Sequence, residues 1–90
     1  MTVEVMVFTK QDCPNCPQAK RVVEEVEREM GCRIEVKRFD LDDEEDFLTA
    51  LQNQVMSTPS IVVNGKLVVA GRSTSAHELV KAIQLEEVEN

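Results

Sequence analysis

Apolar positions along this chain fall into short segments of contrasting period. Val3 to Phe8 is β-branched-rich and apolar almost throughout, broken only by Glu4. A strand facing core on both sides reads this way, which predicts a central, parallel strand. Ala19, Val22, Val23, Val26 and Met30 then recur at helical steps, with Lys20, Arg21, Glu24, Glu25, Glu27 and Arg28 filling the other positions. That stripe predicts an amphipathic helix. Pro14 and Pro17 suit a first turn whose N–H groups lack partners, and Gly31 suits a helix stop, so the helix is placed at about Pro14 to Met30.

Arg33 to Phe39 alternates, with Ile34 and Val36 on one side and Glu35 and Lys37 on the other. This predicts a strand with one wet face near a sheet edge. Asp42 and Glu45 have the spacing of a capping box, and Phe47, Leu48, Leu51 and Val55 form a second, shorter helical stripe. Ile61 to Val63 and Leu67 to Ala70 flank Asn64-Gly65, a strong two-residue hairpin signal. Ser75 and Glu78 repeat the capping spacing before Leu79, Val80, Ile83 and Leu85, and the acidic tail from Glu86 is expected to fray. The order is β-α-β-α-β-β-α. A right-handed crossover makes the first β-α-β parallel. The predicted fold class is therefore α/β, a four-stranded mixed sheet with helices on both faces, in a single domain over residues 1–90.

Composition narrows the functions open to such a domain. Of 90 residues, 42% are hydrophobic and 30% charged, as in ordinary soluble domains. No apolar run approaches the ~20 residues that span a bilayer, so no membrane association is expected. The N-terminus shows no basic segment followed by an apolar one, which points to a cytoplasmic location. The net charge of −7 argues against nucleic acid, whose phosphates would be repelled. Much of that charge lies at Asp40 to Asp46, read as a solvated helix start with a docking surface for a basic partner as the alternative.

The chemistry is carried by Cys13-Pro14-Asn15-Cys16, set between the first strand and the first helix. There the unpaired N–H groups and the positive end of the helix dipole stabilise a thiolate, the species that attacks disulfides. Cys13 is the expected nucleophile, and Cys16, one turn on, can close a ring with it. A tetrahedral zinc site would need two more ligands. Cys32 and His77 are the remaining Cys and His residues. Cys32 lies past the far end of the helix, about 24 Å away at 1.5 Å per residue, so one chain cannot close that site. Cys32 is read as a structural residue beside Gly31, with regulatory dimerisation as the alternative. His77 is read as a surface residue in the last helix.

Taken in order, the strand Val5–Phe8, Cys13-Pro14-Asn15-Cys16, Thr58-Pro59, Asn64-Gly65 and Gly71 resemble the thioredoxin-like superfamily, and within it the glutaredoxin and small archaeal-type thioredoxin group. The resemblance implies a thioredoxin fold and a cis Pro59 facing the cysteines. It also implies that the Thr58 backbone is free to pair with an extended disulfide substrate. Lys10 and Pro14 match the glutaredoxin pattern, in which a basic residue pairs with glutathione. The Gly-Gly-acidic element that holds glutathione is missing, for the chain reads Ala70-Gly71-Arg72-Ser73 and Arg72 adds a charge there. The expected function is therefore a thiol–disulfide oxidoreductase. It would reduce protein disulfides as a monomer, without a bound cofactor, and be recycled by a thioredoxin-reductase-type donor. The implied substrate-binding residues are Lys10, Pro14, Thr58, Pro59 and Gly71. A glutathione-dependent glutaredoxin is the alternative. A dimer bridging an iron–sulfur cluster through two Cys13 thiolates is a more distant one.

Overall fold

The computed structural model describes residues 2–89, the Glu89 side chain aside. The strands are β1 (Val3–Thr9), β2 (Ile34–Asp40), β3 (Ser60–Val63) and β4 (Lys66–Ala70), and the helices are α1 (Cys16–Met30), α2 (Glu44–Gln52) and α3 (Ala76–Glu89). The sheet runs β2-β1-β3-β4. β1 is parallel to β2, antiparallel to β3, and so central, as its unbroken apolar run requires. Its side chains alternate between two cores. Val3, Val5 and Val7 pack with Val22, Val23, Val26, Leu79 and Ile83 under α1 and α3. Met6 and Phe8 pack with Ala50, Val55 and Val62 on the α2 face. Phe8 stacks on Phe39 of the neighbouring strand with ring centroids 4.9 Å apart.

Asn64 and Gly65 both take positive φ, the requirement of a type I′ hairpin, and join β3 to β4. Asn64 also donates its N–H to Glu4 O and accepts from Glu4 N at 2.8 Å, tying the hairpin to β1.

Several expectations shift. α1 starts at Cys16 rather than Pro14: Asn15 is the N-cap, Pro17 fills the first turn, and Pro14 stays in the preceding turn. α2 is capped by Asp43, whose carboxylate accepts from Asp46 N, and not by the Asp42 and Glu45 pair. That one-residue offset accompanies a different rotation. Ala50 is the buried residue of α2, while Phe47, Leu48 and Leu51 remain 44%, 53% and 47% exposed. The face turned inward carries Asp46, Thr49, Ala50 and Asn53. Asp46 fixes it there by accepting from Asp40 N at 2.9 Å. α3 does not end at Glu86. It continues to Glu89, and Glu86 is buried against the sheet edge with its carboxylate 2.9 Å from Lys66 Nζ. Leu85 of that helix, by contrast, is exposed. Cys32 lies exposed in a 3-10 turn, Gly31–Arg33, and belongs to neither core, contrary to the structural role expected of it. His77 is on the surface, as expected.

Candidate active site

The strand register gathers the singled-out residues at one end of the sheet. Phe8 pairs with Ser60, so Pro59 stands beside Thr9, where the cysteine loop leaves β1. Ser60 pairs with Ala70, so Gly71 stands beyond Pro59. Backbone hydrogen bonds extend the row past the strands. Leu41 N donates to Thr9 O at 2.8 Å, and Gly71 N donates to Pro59 O at 2.9 Å.

Between Thr9 and α1 the chain turns sharply. Asp12 takes φ of +59°, a left-handed conformation that Asp tolerates better than most residues. Gln11 N donates to Asp42 Oδ2 at 2.8 Å, anchoring the loop to the segment after β2. Cys13 and Cys16 are joined as a disulfide, with Cα atoms 5.4 Å apart. Their exposures differ: Cys13 is half-buried, and Cys16, the first residue of α1, is 2% exposed. The first turn of α1 holds no acidic side chain and Asn15 gives no side-chain cap, so nothing there opposes the positive end of the helix dipole beside the sulfurs; of the first N–H groups, that of Cys16 donates to Cys13 O at 3.3 Å and Pro17 has none.

The peptide bond Thr58-Pro59 is cis. Pro59 is buried and Thr58 half-buried. Gly71 has φ of +68°, and a Cβ there would meet the Ser57 Cβ at 2.8 Å and its hydroxyl oxygen closer still. The residue is therefore a glycine for two reasons, conformation and contact. Lys10 is exposed in the loop directly after Thr9. It lines an open groove of about 450 Å³ with Thr9, Gln11, Lys20, Arg38 and Asp46. Pro14 is exposed beside the cysteines. Arg72 does not project its charge into the groove as expected. Its guanidinium is paired with Glu78 at 2.6 and 2.9 Å and also donates to Val68 O, the β4 residue left over at a register shift. The Arg72 guanidinium and the Thr74 hydroxyl together hold the Glu78 carboxyl down to about 2.

Sequence reasoning missed a link across this end of the molecule. The Gln18 side chain of α1 exchanges two hydrogen bonds with the Thr74 backbone. Its one outward sign was a polar residue inside the first two turns of an amphipathic helix. Among the described residues no group of His, Cys, Asp and Glu could hold a metal ion, and no helix is long and apolar enough to cross a membrane.

A β-α-β-α-β-β-α fold with a Cys-X-X-Cys disulfide opening its first helix and a cis-proline just before the adjoining strand defines a thiol–disulfide oxidoreductase of thioredoxin fold. The comparisons agree. A thioredoxin-domain family model matches residues 1–84. A thioredoxin of Methanocaldococcus jannaschii is 40% identical over 82 residues, covering 91% of this chain and 93% of that protein. A probable thioredoxin of Methanothermobacter thermautotrophicus is 36% identical over 83 residues, covering 92% and 94%. Thioredoxin-2 of a malaria parasite superposes with a TM-score of 0.78 at 25% identity, covering 93% of this chain and 82% of that one. Chloroplastic thioredoxin z superposes at 0.80 and 22% identity, covering 97% and 80%, a likeness of fold. The chain belongs to the thioredoxin-domain family and is a protein-disulfide oxidoreductase.

Proposed function

We propose that Cys13 and Cys16 are the reacting pair and that Cys13 attacks first. The observation that carries this is the contrast in exposure between two bonded sulfurs, one half-buried and one 2% exposed. In the reduced protein the Cys13 thiolate, favoured by the start of α1, attacks a substrate disulfide. An S–S bond forms to Cys13 and the substrate's second sulfur leaves as thiolate. Cys16 then loses its proton and attacks Cys13 Sγ. The first substrate sulfur leaves, and the Cys13–Cys16 disulfide closes. The substrate has gained two electrons. A dithiol donor of the thioredoxin-reductase type returns two electrons and two protons, with no bound cofactor.

An extended substrate segment lies along the cis-proline edge and pairs with the Thr58 backbone, with Gly71 leaving room beside it. Pro14 shapes the exposed side of the motif. Lys10, a short distance along the loop, adds positive potential near the thiolate. Protein disulfides suit this edge better than glutathione, because the second glycine and acidic residue of a glutathione cradle are absent after Ala70. The protein acts as a monomer in the cytoplasm.

The test is capture of the intermediate. Cys16→Ser, incubated with an oxidised protein substrate, should accumulate a mixed disulfide through Cys13 that dithiothreitol releases. Cys13→Ser should form none and turn nothing over. No adduct with Cys16→Ser on a substrate that the unmodified protein reduces would refute the order of attack.

A further inference from the structure

Gln18 stands two residues beyond Cys16, and its side chain crosses from α1 to the loop after β4. Its Nε2 donates to Thr74 O, and its Oε1 accepts from Thr74 N at 3.3 Å. Used in this way, a side-chain amide behaves as a peptide group in a sheet ladder, matching the donor and the acceptor of a single residue. Thr74 is buried, and its hydroxyl is committed to Glu78 at 2.7 Å. The other end of the same loop is fixed by Gly71 N donating to Pro59 O. A path therefore runs from the helix that carries Cys16, through the Gln18–Thr74 hydrogen bonds and along the Arg72–Ser73 backbone, to Gly71 and the cis-proline.

We infer that Gln18 is a positioning residue for protein-disulfide exchange. It holds the dithiol helix at a fixed spacing from the Gly71 and Pro59 segments. A substrate strand paired with Thr58 then delivers its sulfur to Cys13 in register. The inference rests on the substrate edge proposed above. Gln18 acts through Thr74, so its effect falls on the binding of a peptide-borne disulfide. It is not felt in the sulfur exchange itself. No other common side chain replaces it: Glu keeps the length and the acceptor but lacks the donor, Asn is one methylene short, and Ala lacks both groups.

The experiment compares the unmodified chain with Gln18→Ala and Gln18→Glu, each turned over by dithiothreitol, on insulin and on a small aromatic disulfide. For Gln18→Glu the KM for insulin should rise about three- to tenfold, the factor set by the net strength of one hydrogen bond, and for Gln18→Ala, which loses both, by at least as much. The kcat on insulin, and the rate with the aromatic disulfide, should stay within about twofold. Amide exchange at Gly71 should quicken in both variants while exchange at Val5 and Val7 stays slow. Gln18→Glu keeps the shape of the residue and guards against loss of folding in Gln18→Ala. An unchanged insulin KM in both variants overturns the inference. An equal loss on both disulfides also overturns it, because that pattern marks a general structural defect. If the unmodified chain fails to reduce insulin, the proposed function itself falls and takes this inference with it.

Discussion

A methyl group at residue 71 would meet the Ser57 Cβ at 2.8 Å and would sit on a backbone with φ of +68°. Gly71→Ala should therefore lower stability by about 1–3 kcal/mol, read as a shift in the denaturant midpoint, and raise the KM for protein disulfides. Ser57→Gly in the same chain should recover the steric part and leave the conformational part. Glu78 supplies a second residue-scale prediction. Its carboxyl is held at about 2, below the ordinary 4.5, first by the Arg72 hydrogen bond and then by Thr74. A carboxyl depressed in the folded state contributes stability that is complete above its unfolded pKa and is lost as pH falls toward the folded one. Thermal scans between about pH 5 and pH 2 should show an acid limb that Glu78→Gln flattens. At this scale the sequence was informative where chemistry is local. Cys13 and Cys16 share one turn, and a proline or glycine carries its backbone demand in its identity. Gln18 and Thr74 are 56 residues apart, of types common on any surface, so no period or spacing joins them.

Among the elements, α2 carries the clearest lesson. Phe47, Leu48 and Leu51 make a stripe at helical spacing, and the helix is there, but the stripe faces out. Periodicity reports that apolar residues share a face. It does not report which way the face turns. Rotation is set by Asp43 capping Asp46 and by Asp46 holding Asp40, contacts that depend on where β2 ends. Leu48→Ala should thus change stability by less than about 0.5 kcal/mol. Leu79→Ala, in the core beneath α3, should cost about 2–5 kcal/mol. Equal losses at the two sites, measured by chemical denaturation, would contradict this orientation. α1 and β1 were legible almost to the residue because each packs on the core it was patterned for. The length of α3 was not, because the pairing of Glu86 with Lys66 belongs to the hairpin and not to the helix.

Across the whole molecule, the strand order β2-β1-β3-β4 brings the ends of β1, β2 and β4 and the start of β3 to one edge. The cysteine loop, the cis-proline and Gly71 all leave the sheet there. α1 and α3 cover one face and α2 the other, with β1 between them. Ligand sites in open α/β sheets form at such carboxyl ends, where connections depart to opposite faces. The order of elements and one right-handed crossover predict the mixed sheet, while the family resemblance, not the pattern, implies that Pro59 faces the cysteines.

The opposite edge holds Val3, Ile34 and the Asn64-Gly65 turn, and Cys32 lies in the turn that leads into Ile34. With Cys13 and Cys16 closed on each other, Cys32 is the sole sulfhydryl left to an alkylating reagent. A maleimide dye or a maleimide-coated surface would then attach at the tail of the molecule, roughly the length of α1 away from the Cys13–Cys16 pair. Reduction afterwards would open the dithiol toward the solution. The chain thus carries its own anchor point for electrochemistry or single-molecule work, pointing every immobilised copy the same way.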